Sequence, residues 1–244
     1  MPDSAKTHIS LVSLAGTGAM VYAFMGAPWT HDALRFCTYF LLSLLAATLK
    51  LRLPGLTGTI SIGFVLVLVG ISELTLPETM LMACAGALVQ CFWRAKQRPA
   101  GVQVLFSVSA VALGLAVAYE CCRWLRLQVP AAPVALVLAV ATCLYFLSNS
   151  LLVSGVLCLV RRVPLSAIWA QCYLFSFPYY LIGGAVAGLM SASSREAGWQ
   201  APLLILPVMG LVFLFYRFYL AQLAMLPAAA VSTASLHAVK TRSA

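Results

Sequence analysis

Few side chains in this sequence could do chemistry, and most of them sit inside or beside long apolar runs. Of the six acids, Glu73 and Glu120 come closest to the interior of such runs, and Arg123 lies one helical turn beyond Glu120. An ionisable group within an apolar span marks a ligand or ion site by default. Near the end of a span, a solvated position or a local ion pair is the competing role. Tyr145 and Asn149 are four apart, so they share one face of a helix. Ser148, Ser150 and Ser154 add hydroxyls around them. An asparagine at that depth either bonds a neighbouring helix or lines a polar ligand cavity. Further on, Gln171, Tyr173, Ser176, Pro178, Tyr179 and Tyr180 form the most polar and aromatic segment of any run. Pro178 removes one backbone bond and frees a carbonyl about a turn earlier. That serves either a packing kink or a binding site of the kind discontinuous helices build. Tyr145, Asn149, Tyr179, Tyr180, Glu73 and Glu120 are therefore the candidate ligand-binding set. Gly184 and Gly188 follow as a GxxxG pair, a signal for close helix approach.

Catalytic signatures do not occur. The chain has no HExxH, no GxSxG, no acid cluster and no phosphate-binding glycine loop. His8, His31 and His237 fall in terminal or loop segments, so no intramembrane base or metal ligand is expected from them. The reading is a protein that is not an enzyme, with no cofactor and no metal. The eight cysteines form no CxxC and lie in or at the ends of apolar runs, as small hydrophobes of a helix bundle do. Only the vicinal pair Cys121 and Cys122 offers a redox or metal-responsive alternative.

These residues need elements to hold them, and composition says which. Hydrophobic residues make up 63% of the 244, charged residues 9%, and the mean hydropathy is +0.99. Soluble domains carry about 25% charged residues, so the chain reads as an all-α, polytopic transmembrane helix bundle. About eight spans are expected, six at the fewest. They cover residues 8–25, 33–49, 60–74, 79–93, 102–119, 133–160, 165–190 and 201–219. The third and fourth are short enough to form a tight hairpin. The sixth, 28 residues of apolar sequence, would be about 42 Å long as a helix. Residues 1–220 form one integral membrane domain, and 221–244 a short disordered cytoplasmic tail. The first run has no small-x-small exit before Pro28 and Trp29, so no cleavable signal is expected.

The net charge of +9 has no aromatic-interleaved basic patch to go with it, so nucleic acid is not an expected partner. The basic residues instead cluster between spans. With the amino terminus inside, Lys6, Lys50, Arg52, Arg94, Lys96, Arg98, Arg161, Arg162, Arg217, Lys240 and Arg242 face the cytoplasm. Arg35, Arg123, Arg126 and Arg195 fall outside. That asymmetry follows the positive-inside rule and places both termini in the cytoplasm. Trp29, Trp124 and Trp199 then mark the outer interface, and Trp93 and Trp169 the inner one.

Residues 50–61, KLRLPGLTGTIS, interrupt two apolar runs with two basic residues, a proline and two glycines. Their charges act as topology determinants, and the proline and glycines let the chain reverse tightly. This LP-G-x-x-G-T-x-S loop runs into SIGFVLVL from Ser61. With YFLSNSLLV from Tyr145, FPYYLIGGA from Phe177 and YRFYL from Tyr216, it resembles the multi-pass membrane sensor region that precedes bacterial GGDEF diguanylate cyclase and HD-GYP phosphodiesterase domains. The likeness covers residues 34–220. It implies a bacterial inner-membrane sensor or ligand-binding module of signal transduction. Too few residues follow Tyr219 for an output domain, so cyclic-dinucleotide chemistry does not carry over. The implied partners are the lipid bilayer and a membrane or cytoplasmic protein, or a second copy of the chain. The alternatives are a small-solute transporter component resembling the substrate-binding subunits of vitamin transporters, and a structural membrane protein with no ligand.

Overall fold

The computed structural model describes residues 2–29, 32–52, 59–95, 98–172 and 176–205, with single positions at 207, 210, 211, 214, 215 and 218. These residues form a helical bundle: α1 (Asp3–Gly26), α2 (Ala33–Thr48), α3 (Gly63–Glu73), α4 (Leu76–Phe92), α5 (Gly101–Gln128), α6 (Val134–Arg161), α7 (Leu165–Cys172) and α8 (Phe177–Ala197). A 3-10 turn, Ala201–Ile205, follows. The all-helical expectation needs one addition. Lys50–Arg52 (β1) and Thr59–Ser61 (β2) pair antiparallel, Lys50 opposite Ser61. The chain therefore reverses across residues 50–61 through a short β-ladder, and α3 begins at Gly63 rather than at residue 60. Backbone pairing gives a polar stretch beside the bundle the partners that lipid cannot supply.

Remote contacts fix the helix directions. At one end the Tyr22 hydroxyl donates to Glu120 (3.2 Å), Arg35 pairs with Glu73, and the Tyr119 hydroxyl donates to the Leu74 carbonyl (3.1 Å). At the other end His8 Nε2 lies 3.2 Å from the Leu152 carbonyl, and Trp169 Nε1 donates to Ser150 (3.2 Å). Helices α1 to α6 thus alternate in direction, α8 runs with α1, α3 and α5, and α7 is a short helix at the second end. Lys50, Arg52, Arg94, Arg98, Arg161 and Arg162 all belong to that second, basic end. Arg35, Arg123, Arg126 and Arg195 belong to the first. Lys96 lies outside the described residues, as do Arg217, Lys240, Arg242, the tail 221–244 and most of the expected eighth span.

Helix boundaries add detail to the expected spans. Helix α5 continues past Tyr119 to Gln128, carrying Glu120, Cys122 and Arg126 on helical turns. Residues 165–190 hold α7 and α8, and 173–175 lie outside the described residues. Pro178 sits in the first turn of α8, where its missing N–H would have had no helical partner anyway. His8 is helical too, since α1 starts at Asp3. The hairpin of short helices is present, with only Leu74 and Thr75 between α3 and α4.

Helix α3 is the centre of the bundle. Of its 11 residues, the nine from Gly63 to Ile71 are all buried, and the helix packs against α2, α4, α5, α6 and α8. Around it, α1, α2, α5, α6 and α8 turn Leu11, Leu14, Leu41, Leu45, Leu105, Leu151 and Leu189 outward. Hydrocarbon solvates such a coat and water does not. Among the described residues α1, α5 and α6 are long and apolar enough to cross a membrane, so the bundle is compatible with a membrane protein.

Small residues set the helix spacing. A Cβ on Gly184 would meet Thr142 Oγ1 at 2.5 Å and one on Gly188 would touch Leu138, so the GxxxG pair seats α8 on α6. The tighter contact is its neighbour Gly183, where a Cβ would run into the Phe64 ring. Overpacking a filled core costs about 1–3 kcal/mol. Gly183→Val is therefore expected to lower thermal stability in detergent by that order. Gly18→Ala, whose Cβ would meet nothing within 4 Å, is expected to be neutral or to stabilise by up to about 1 kcal/mol. Paired unfolding curves check both.

Candidate functional site

Between α2, α3, α4, α5, α6 and α8 lies a cavity of about 350 Å³, within the range of about 300–1,000 Å³ that small-molecule sites occupy. It sits in the half of the bundle toward the basic end. The lining comes from the late turns of α2, α4 and α6 and the early turns of α3, α5 and α8. Each helix supplies small or polar residues at one-turn spacing: Ser43 and Ala47 from α2, Ala83 and Ala87 from α4, Tyr145, Asn149 and Val153 from α6. The small side chains of Ser43, Ala47, Ala83 and Ala87 leave the space.

The polar lining among the described residues is neutral: Ser43, Ser61, Gln90, Ser107, Asn149, Ser150 and Ser176, with the hydroxyls of Tyr145 and Tyr180. Some are already engaged. The Gly63 N–H donates to Ser61 Oγ (3.3 Å), which satisfies one orphan amide at the start of α3. Ser150 Oγ accepts from Trp169, tying α7 to the cavity wall. The Asn149 amide lies beside the Tyr180 hydroxyl. An aromatic cluster closes one side, with the Phe64 and Tyr180 rings 4.5 Å apart and Phe146 to Tyr180 5.1 Å apart.

Of the six candidates, Tyr145, Asn149 and Tyr180 come together at this cavity. Tyr179 does not join them. It is buried and packs on Phe64 at 5.3 Å, on the far side toward Ile62 and Val186. A one-residue step around α8 turns its side chain about 100° from that of Tyr180. Glu120 is on the bundle surface, where it accepts from Arg123 (2.7 Å) and Tyr22. Gln171 and Tyr173 have no described side chains. Among the cysteines, Cys121 is exposed, while buried Cys122 donates to the Val137 carbonyl (3.4 Å). Among the described residues no three metal-ligating side chains cluster.

Glu73 is a buried structural acid. One of its oxygens, Oε2, accepts from Arg35 (2.6 Å), Ser194 (2.9 Å) and Tyr39 (3.1 Å). That links α2, α3 and α8 at the end opposite the cavity. Arg35 and Tyr39 are one turn apart on α2, a spacing visible in the sequence. Their partner is 38 residues away from Arg35, which the sequence does not reveal. Glu78 is a second buried acid, bonding the Thr75 N–H (3.0 Å) at the start of α4. Its role is not legible in the sequence, because the expected span starts at residue 79 whereas α4 starts at Leu76. The remaining lining residues, Ser43, Gln90 and Ser107 among them, show only as single polar positions on apolar helix faces.

Comparison of the chain with family profiles, with curated proteins and with solved structures finds no match.

The Arg35–Glu73 pair yields a direct test. Removing one partner of a buried pair costs about 3–5 kcal/mol, whereas replacing both with apolar residues is often neutral. The Arg35 side chain is 24% exposed, which places the single-variant loss at the lower end of that range. Glu73→Leu is expected to destabilise by about 3 kcal/mol, and Arg35→Leu combined with Glu73→Leu to recover most of it. Unfolding of the three proteins in detergent measures the coupling.

Proposed function

We propose that this chain is a ligand-binding sensor module of a bacterial inner membrane, with a binding rather than a catalytic role. The observation that carries the reading is the cavity. Three of the four stretches that resemble the sensor regions ahead of bacterial GGDEF and HD-GYP domains contribute to its walls. The stretch from Ser61 supplies Phe64 and Val67, that from Tyr145 supplies Asn149 and Ser150, and that from Phe177 supplies Tyr180. The fourth stretch, at Tyr216, lies outside the described residues except for position 218; in this reading a protein partner or second copy would receive the signal. Neutral hydroxyls and an amide suit hydrogen-bonded recognition.

The basic end is the cytoplasmic face in this reading, which puts the amino terminus inside and, with an eighth span, the carboxyl terminus as well. An impermeant maleimide applied to intact spheroplasts is then expected to label Arg195→Cys and to spare Arg98→Cys, both in a cysteine-free background. The reverse pattern would invert the orientation.

Binding itself is tested by native mass spectrometry of the purified protein in lipid nanodiscs. The wild type is expected to carry a small-molecule adduct. Gly86→Leu, which fills the cavity where a Cβ alone would touch only Ser43 and Ala47 at 3.7–3.8 Å, is expected to lose at least 90% of it. An equal adduct in both would move the site elsewhere. Uptake of the released molecule into reconstituted vesicles would replace the sensor reading with the transporter one.

A further inference from the structure

We infer that the cavity selects an uncharged small molecule with a flat apolar part and a hydrogen-bonding edge; this deepens the binding reading above and rests on it. Every described residue lining the space is neutral. The two acids packed inside the bundle are already committed, Glu73 to Arg35, Tyr39 and Ser194, and Glu78 to the Thr75 N–H. Neither lies among the lining residues. A charged ligand would leave water for a site with no counter-ion among the described residues, at a cost of several kcal/mol per ion.

Two helix starts reach the space: the Gly63 N–H of α3 is taken by Ser61 Oγ within the protein, and α8 begins beside Ser176, a neutral lining residue. What the site offers is a neutral donor and acceptor set from Asn149, Gln90, Ser43 and Ser107. Such groups recognise an alcohol, phenol, amide or carbonyl.

Shape adds the second criterion. Helices α3, α6 and α8 contribute the rings of Phe64, Phe146 and Tyr180, whereas α4 and α5 contribute Ala83, Gly86, Ala87 and Ala110 beside Met82, Gln90 and Val111. Rings on one set of elements and mostly small side chains on the other leave space against the aromatic cluster. Aromatic faces favour offset-stacked or edge-on rings.

The test uses three probes of one size, 3-fluorobenzyl alcohol, 3-fluorobenzoate and 3-fluorobenzylammonium, with the full chain in phosphatidylcholine nanodiscs. Fluorine NMR line broadening reads the bound fraction, and Gly86→Leu nanodiscs subtract partition into lipid. The alcohol is expected to show at least five times more broadening with wild type than with Gly86→Leu, reversed by excess unlabelled benzyl alcohol. Both ions should show no difference. Asn149→Leu should reduce the alcohol signal several-fold while leaving the helical circular dichroism unchanged. An ion that binds the wild type as well as the alcohol does would overturn the uncharged class and leave the binding reading standing. An unaltered signal in Asn149→Leu would overturn the hydrogen-bonding edge. If no probe is displaced by unlabelled benzyl alcohol or distinguishes wild type from Gly86→Leu, both readings fall.

Discussion

The structure depends on a helix too short for its position. Helix α3 has 11 residues, about 16 Å of helix, where a hydrocarbon layer measures about 30 Å. It cannot reach water at both ends by itself, so its terminal backbone groups and its single acid must be satisfied inside the bundle. Ser61 takes the first amide, and the β1–β2 ladder occupies the backbone just before it. At the other end Arg35, Tyr39 and Ser194 converge on Glu73. Those partners come from α2 and α8, so the solution to one helix's problem sets the position of two others.

Packing follows from the same constraint. A helix surrounded on all sides needs close neighbours, and Gly183 lets α8 approach the Phe64 ring. The Ser72 and Ser191 hydroxyls meet at 2.6 Å along the same interface. Interhelical hydrogen bonds of this kind contribute about 0.6–2 kcal/mol in membrane bundles. The end holding Glu73 is thereby fastened by charge and hydrogen bonds. The opposite half holds the cavity, and its walls are built of small residues and rings. The molecule is tied at one end and holds its cavity in the other half.

Much of this was legible in the sequence. Apolar run length gave the helices, because the cost of unpaired backbone in hydrocarbon leaves little else. Alternating positive charge gave the two ends, and Trp93 and Trp169 fell at the basic one as expected. The spacing of Tyr145 and Asn149 put both on one helical face, while the choice between a helix contact and a cavity wall stayed open in the sequence. Helix ends inside a bundle are set by partners from other helices, so the extension of α5 to Gln128 and the start of α8 at Phe177 were not legible. Tyr179 and Tyr180 were indistinguishable by composition, yet 100° of helical rotation sends one to the cavity and the other behind Phe64.

The sequence alone determined an all-helical, lipid-compatible chain with two electrostatically distinct ends, since hydropathy and charge are properties of segments. Which polar residues meet was decided only by the tertiary structure. Glu73 meeting Arg35, or Ser43 sharing a space with Asn149, depends on helix rotation and crossing. A linear pattern of 63% hydrophobic residues constrains those angles weakly, because most helix faces are apolar and many pairings bury comparable area.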